Sequence, residues 1–243
     1  MKPRKLLRRV AAIVPAAGAS RRFGANKLWR PVAGAPLLVH ALRVLQQHPS
    51  IRWIILPTRA TDRRRVEVML KRHGITKTTL CVGGASRAES VAKAFAEIPA
   101  AADWVLVHDG ARPCLSRAVL TRSLKAAARN GAVACGLPAS LTVKSVDRRG
   151  RVEQTLDRNR LWFVQTPQII RRDWFAKALA ETNGTLARYP DDVSIVEAAG
   201  FPVRMILGDP LNIKVTTKED MVLAEAILRR WSSNLRHRSR RSG

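Results

Sequence analysis

Residues 10–27 read V-A-A-I-V-P-A-A-G-A-S-R-R-F-G-A-N-K. The apolar run at 10–14 has the composition of a strand buried on both faces of a parallel sheet. Pro15 ends it, and Ala16, Ala17, Gly18, Ala19 and Ser20 follow as a stretch of very small residues. No side chain there is large enough to hold a ligand off the backbone, so main-chain N–H groups can lie directly against an anion or a base. Arg21, Arg22 and Lys27 come next. A strand, a bare loop and then fixed cations make a site for a polyphosphate. The stretch holds neither G-x-x-x-x-G-K-[ST] nor G-x-G-x-x-G, which excludes a P-loop and a dinucleotide fingerprint. Taken alone it is equally compatible with an ordinary strand-to-helix turn carrying solvent-facing basic residues.

Working outward, strands and helices alternate. Gly34-Ala35-Pro36 opens a helix with Pro36 near its first position and Leu37, Leu38, Ala41, Leu42 and Leu45 on one side. Residues 51–56 read as a buried strand, and Asp62 caps a basic helix that Gly74 ends. A short strand at 79–82 leads through Gly83-Gly84 to Ser86-Arg87-Ala88-Glu89, a capping-box pattern that starts a helix. Residues 104–107 form a strand, Ser116 caps a helix stopped by Gly131, and 132–137 form the next strand. This alternation predicts an α/β fold: a single Rossmann-like, mostly parallel sheet with helices on both faces. It breaks at Pro138. Residues 142–146 and 152–156 are short β-like runs joined by the turn signal D-R-R-G, and they predict a protruding β-hairpin arm. An isolated hairpin is marginal in water, so the arm is expected to pack on something else, such as a second subunit. Asp191-Asp192 caps a further helix, strands are expected at 203–207 and 213–215, and T-K-E-D opens a final helix to about Trp231. The predicted organisation is a basic extension at 1–9, one domain at 10–231 with its arm at 138–160, and a basic disordered tail at 232–243.

The chain has 243 residues, 46% of them hydrophobic, enough for one domain with a real core. No apolar run reaches the roughly 18–20 residues that span a bilayer, and the N-terminus M-K-P-R-K-L-L-R-R lacks the apolar stretch of a signal peptide. Cys81, Cys114 and Cys135 have no metal-ligand spacing and read as reduced thiols of a cytoplasmic protein. The net charge of +26 is unusual. Both ends contribute to it, but the body is basic too. Such a field draws in phosphate esters and favours loose contact with nucleic acid.

In open α/β sheets, ligands bind beyond the carboxyl ends of the strands. Four informative stretches fall there: 15–27, 83–90, 108–113 and 212–214. A fifth, Gln165-Thr166-Pro167-Gln168, leads toward a helix. P-A-A-G-x-x-x-R followed by Lys resembles the signature loop of sugar-nucleotide pyrophosphorylase-like nucleotidyltransferases. G-G-A-S-R-A-E-S, V-H-D-G-A-R-P, L-D-R-N-R-L-W, Q-T-P-Q and N-I-K-V-T are similar, in order and spacing, to motifs of the 2-C-methyl-D-erythritol 4-phosphate cytidylyltransferase family. The resemblance covers about residues 10–228.

It implies that the phosphate of a sugar-alcohol phosphate attacks the α-phosphorus of CTP and pyrophosphate leaves. The resemblance implies that Arg22 and Lys27 contact the triphosphate and stabilise the transition state. The nucleotide would lie on Pro15, Ala16, Ala17, Gly18, Gly84, Ala85 and Ser90. The polyol phosphate would meet Asp109, Arg112, Thr166 and Lys214, with Thr142 and Arg158 reaching in from the arm of a partner in a homodimer. Mg²⁺ would bridge the CTP phosphates, with no metal site built from protein side chains. The residues by themselves leave other roles open: Asp109 as a loop acid, Arg158 as surface, and His108 as strand-end structure rather than a catalyst.

The chain departs from the family pattern at Asn26 (usually Pro), Leu28 (usually Gln), Gly110 (usually Ala), Leu141 (often Asp) and Pro190 (often Thr). The cations for the nucleotide are intact while two polar contacts to the substrate are missing, so the exact polyol phosphate stays open. Ribitol 5-phosphate is an alternative substrate. A basic nucleic-acid-binding protein on an inactive transferase fold is an alternative of another class.

Overall fold

The computed structural model describes residues 7–18 and 27–239, with backbone alone for 234–239. Arg22 and the rest of the loop at 19–26 lie outside the described residues, as do residues 1–6 of the basic extension. The central strand β1 (Val10–Ile13) is buried along its whole length. It pairs in parallel with β4 (Ile51–Thr58) on one side and β6 (Trp104–Val107) on the other. A small ribbon of β2 (Pro31–Val32) and β3 (Ala35–Pro36) leads into α1 (Leu37–Gln47). The chain continues through α2 (Arg63–Arg72), β5 (Thr78–Val82), α3 (Arg87–Ala96), α4 (Arg117–Asn130) and β7 (Ala132–Pro138). After the hairpin of β8 (Val143–Val146) and β9 (Val152–Leu156) come β10 (Trp162–Arg171), α5 (Arg172–Glu181), α6 (Asp192–Ala198), β11 (Arg204–Leu207) and α7 (Lys218–Ser239). The main sheet has seven strands in the order β11-β7-β10-β6-β1-β4-β5.

Side chains alternate across a strand, so β1 feeds two cores. Val10 and Ala12 face the core built with α1, α2, α4 and α7, while Ala11 and Ile13 face the core built with α3, α5 and α6. Helices therefore cover both faces, as the alternation predicted. Leu37, Leu38, Leu42 and Leu45 of α1 are fully buried, each contributing on the order of 1.5–3 kcal/mol of apolar burial. The helix ends follow their signals. Ser86 Oγ accepts the Glu89 N–H, Ser116 Oγ accepts the Val119 N–H, and Gly131 ends α4 at φ +81°. Thr217 and Asp220 cap α7 reciprocally, at 3.2 and 2.9 Å.

Several expectations are corrected. Asp62 precedes α2 but its carboxylate accepts no backbone N–H as a cap and instead accepts from Arg59 Nε at 2.7 Å. Residues 165–168 do lead toward a helix, α5, and they do so inside the long strand β10, antiparallel to both β6 and β7, with the Thr166–Pro167 peptide cis and the register shifted between Val164 and Gln168. Residues 213–215 form no strand; this loop is held by the Val215 N–H on the Ala111 carbonyl at 2.8 Å. The last helix continues past Trp231 to Ser239, where a disordered tail was expected. The hairpin forms as predicted, starting at Val143, and is a separate two-stranded sheet. Among the described residues no helix is long and apolar enough to cross a membrane. The three cysteines are free thiols.

Candidate active site

The parallel strands β6, β1, β4 and β5 end on one edge of the sheet, and the loops beyond them enclose a cavity of about 290 Å³. Pro15, Ala17, Gly18, Lys27 and Leu28 line it from the first loop. Gly84, Ala85, Ser86, Arg87 and Ser90 come from the turn into α3. Asp109, Gly110 and Ala111 follow β6, and Lys214 comes from the loop before α7. A broader, shallower hollow of about 690 Å³ runs along α4 between Arg117, Arg122, Lys125 and Arg129. It is basic but has no bare loop and no acid, so it lacks the means to orient two reactants.

The first loop stays tied to the sheet at its start. The Val14 N–H donates to Ile55 and the Ala16 N–H to Pro57, each at 3.0 Å. Ala16 is buried and its N–H engaged, so the cavity receives Ala17 and Gly18 rather than Ala16. The second loop packs directly on the first: a Cβ on Gly83 would lie 2.4 Å from the Ala17 Cβ. That contact is why the motif needs glycine there. In this turn the Gly84 N–H donates to Ser90 Oγ and the Ala85 N–H to Glu89 Oε2, each at 3.0 Å. With both N–H groups satisfied internally, the loop's carbonyl oxygens are what it can offer an amino group.

The other end of the cavity is an ion network centred on Asp109. Its Oδ2 accepts from Lys214 Nζ at 2.8 Å and its Oδ1 from Arg87 Nε at 3.0 Å, with Arg112 Nε at 3.6 Å. Burial alone would push this carboxyl up, but Arg87 and Lys214 outweigh it and hold Asp109 well below the usual carboxylate range. Arg87 also spans to Asp192 at the start of α6, through Nη1 at 3.1 Å and Nη2 at 2.7 Å. Burial works against the charge of Arg87, and Asp192 with Asp109 reverses that and raises its pKa. Gln168 supports the far end by accepting the N–H groups of Asp192 and Val193.

Beneath Asp109 lies a buried hydrogen-bonded layer. His108 Nε2 is 3.1 Å from the Arg112 carbonyl and Nδ1 is 2.9 Å from Thr166 Oγ1. A carbonyl only accepts, so Nε2 carries the proton and Nδ1 accepts from the Thr166 hydroxyl. Thr166 Oγ1 in turn accepts the Asp109 N–H at 3.1 Å. Burial lowers His108 to about 4, so the ring is neutral. Arg112 donates to the Asn212 carbonyl at 2.9 Å and is buried behind Asp109.

The structure therefore brings Pro15, Ala17, Gly18, Lys27, Gly84, Ala85, Ser90, Asp109 and Lys214 to one cavity. Arg112 and Thr166 sit under its floor, where they brace Asp109. Thr142 and Arg158 are exposed on or beside the arm, where Arg158 Nη1 donates to the Ser140 carbonyl at 3.0 Å. Arg22 falls among the residues not described. Sequence reasoning missed Arg87 and Asp192 as members of the site. Arg87 stands in the G-G-A-S-R-A-E-S motif and in the stretch 83–90 expected at the ligand edge but was given no site role, and Asp192 was read only as a helix cap. It also missed that Leu28, buried against the core, lines the cavity.

A family model described as 2-C-methyl-D-erythritol 4-phosphate cytidylyltransferase matches residues 10–230. The enzyme of that name from Alkaliphilus metalliredigens is 38% identical over 224 residues, covering 90% of this chain and 93% of its own. A bifunctional enzyme IspD/IspF from Desulfotalea psychrophila is 39% identical over 222 residues, covering 90% of this chain. The match takes in only 56% of that longer protein. Among solved structures, the 4-diphosphocytidyl-2C-methyl-D-erythritol synthase of Anaerococcus prevotii superposes with a TM-score of 0.81 at 26% identity, covering 91% of this chain and 99% of its own. The 2-C-methyl-D-erythritol 4-phosphate cytidylyltransferase of Thermus thermophilus superposes with a TM-score of 0.73 at 28% identity, covering 90% and 98%.

Proposed function

This chain belongs to the 2-C-methyl-D-erythritol 4-phosphate cytidylyltransferase family, and on that premise we propose that its cavity is where CMP passes from CTP to 2-C-methyl-D-erythritol 4-phosphate. The products are 4-diphosphocytidyl-2-C-methyl-D-erythritol and pyrophosphate, in isoprenoid precursor biosynthesis. One observation carries the assignment to this cavity. Lys27, the bare backbone at Ala17 and Gly18, and the Asp109–Lys214 pair all open onto it.

The nucleophile, a phosphate oxygen, is already an anion. No general base is required, and the neutral His108, engaged on both nitrogens, is not placed to be one. The protein must hold two anions in line and offset the charge that grows on the α-phosphate. Lys27 and Arg22 do this at the triphosphate. The backbone at Ala17 and Gly18, with Gly84, Ala85 and Ser90, holds cytosine and ribose, and the carbonyls of the second turn suit the exocyclic amino group of cytosine. Lys214 and Asp109 hold the polyol phosphate, with Arg112 and Thr166 fixing Asp109 from below.

Asp109 is the one carboxylate on the described cavity wall and is held by cations. No cluster of three or more metal-ligating side chains occurs among the described residues. That donor set suits an ion carried in by the nucleotide, so CTP phosphate oxygens would hold Mg²⁺ and the ion would supply charge neutralisation there.

The arm completes the proposal. Val146 and Val152 on the hairpin, with Leu141 and Phe163 beside it, are half exposed or more. That apolar surface favours packing against a second copy in a two-fold dimer, which would carry Thr142 and Arg158 to the partner's site. The free thiols suit a reducing cytoplasm.

The test is pyrophosphate release with CTP and Mg²⁺ across a panel of polyol phosphates. Release with 2-C-methyl-D-erythritol 4-phosphate well above that with ribitol 5-phosphate is expected. Steeply salt-dependent RNA binding with no release on any substrate would overturn the assignment.

A further inference from the structure

Arg87 is an odd residue for its position. It is the first residue of α3, where the helix dipole disfavours a cation. Two carboxylates hold it there. Its Nε faces Asp109 and its Nη atoms fork onto Asp192. Asp192 is almost fully buried, whereas the Lys214 side chain on Asp109 is 40% exposed and opens onto the cavity.

Around these two acids stand three cations, Arg87, Arg112 and Lys214. Asp109 is buried, and a buried carboxylate stripped of partners is strongly disfavoured. Lys214 is the most exposed of the three and its ammonium is not forked between two carboxylates, so it is the cation that can turn to an incoming phosphate. If it were the sole close partner of Asp109, each substrate molecule would have to compete with that carboxylate for it. Arg112 does not remove the competition fully, since it pairs with Asp109 only through Nε at the longer distance of 3.6 Å. Arg87 does: at 3.0 Å it keeps Asp109 paired when Lys214 turns away. Asp192 anchors the guanidinium so that Arg87 stays on the wall rather than entering the cavity.

We infer that Arg87 is a positioning residue that releases Lys214 from Asp109 for the substrate phosphate, with Asp192 as its anchor. This rests on the assignment of the polyol phosphate to the Asp109–Lys214 end. Arg87 sets the affinity for the second substrate and leaves CTP binding alone. A lysine cannot replace it fully, because one ammonium does not fork across two carboxylates.

The experiment is steady-state kinetics of pyrophosphate release, with each substrate varied in turn. The variants are Arg87→Met, Arg87→Lys, Asp192→Asn and the double Arg87→Met/Asp192→Asn. The double variant leaves no orphaned carboxylate at 192 and is the one to rely on if Arg87→Met fails to fold. The KM for the polyol phosphate should rise roughly ten- to a hundredfold in Arg87→Met and in the double variant, with the KM for CTP within about twofold of the parent. Arg87→Lys should fall between. Asp192→Asn, which keeps the Arg87–Asp109 contact but weakens its anchor, should raise the polyol KM by less than Arg87→Met does. A folded Arg87→Met or double variant with an unchanged polyol KM overturns the inference, as does a KM rise confined to CTP or equal for both substrates. A parent enzyme that releases no pyrophosphate with any polyol phosphate overturns the underlying functional assignment instead.

Discussion

Acid should weaken this fold through one buried histidine. His108 is fully buried, its Nε2 proton held by the Arg112 carbonyl and its Nδ1 by the Thr166 hydroxyl. Burial holds it at about 4, against 6.5 for an ordinary histidine. A base whose folded pKa is depressed binds protons more readily when unfolded, so stability falls as pH drops below 6.5 and the loss is complete below about 4. Between pH 7 and pH 5 the unfolded chain becomes almost fully protonated at this site while the folded chain stays neutral. The linkage gives a loss on the order of 2 kcal/mol over that interval. His40, His48 and His73 are also lowered by burial and act with the same sign, so the site must be isolated by difference. The assay is urea unfolding of the parent and of His108→Gln at pH 7 and pH 5. The variant will be less stable at pH 7 but should lose about 2 kcal/mol less than the parent on acidification. An equal loss in both proteins, or a His108 ring that titrates near 6.5 by NMR, would refute the reasoning.

Other outcomes follow from the same geometry. Lys27→Ala, and Arg22→Ala on the sequence argument, should each slow turnover at saturating substrate by about 3–4 kcal/mol of barrier while weakening CTP binding far less, because the charge they meet is greatest in the transition state; near-normal turnover in both would remove the assigned roles. Mixing Arg158→Ala chains with Lys27→Ala chains should partly restore activity, because a dimer with shared sites then holds one intact site; no recovery, or an active monomer in sedimentation, means that each site comes from one chain. Gly131→Ala should cost roughly 2–4 kcal/mol in chemical denaturation, since φ is +81° and the new methyl would lie 2.3 Å from the Trp174 ring; a smaller shift would mean that the indole can move aside.

The strand at 10–14 shows how far the sequence alone could go. Its apolar, both-faces pattern, the caps at Ser86, Ser116 and Asp191, and the stops at Gly74 and Gly131 are local signals. They act within a turn or two of the chain, so they can be read without knowing what packs where. The α/β class, the helices on both faces and the hairpin followed from them. Ala17, Gly18 and Lys27 were legible as cavity residues too, because a run of very small residues followed by fixed cations is itself a local pattern. Three things were decided only by tertiary contact. Residues 165–168 became part of a strand because β6 and β7 both present free edges to β10, and that pairing depends on partners far away in sequence. Residues 213–215 have a strand's composition but pair with no strand, and the Val215 N–H on the Ala111 carbonyl holds them as a loop that delivers Lys214 to Asp109. Arg87 and Asp192, which lie 105 residues apart, meet over Asp109. Each looked like a helix start because charge at a cap is a local pattern, whereas sharing one guanidinium between two buried carboxylates is a property of the folded chain alone.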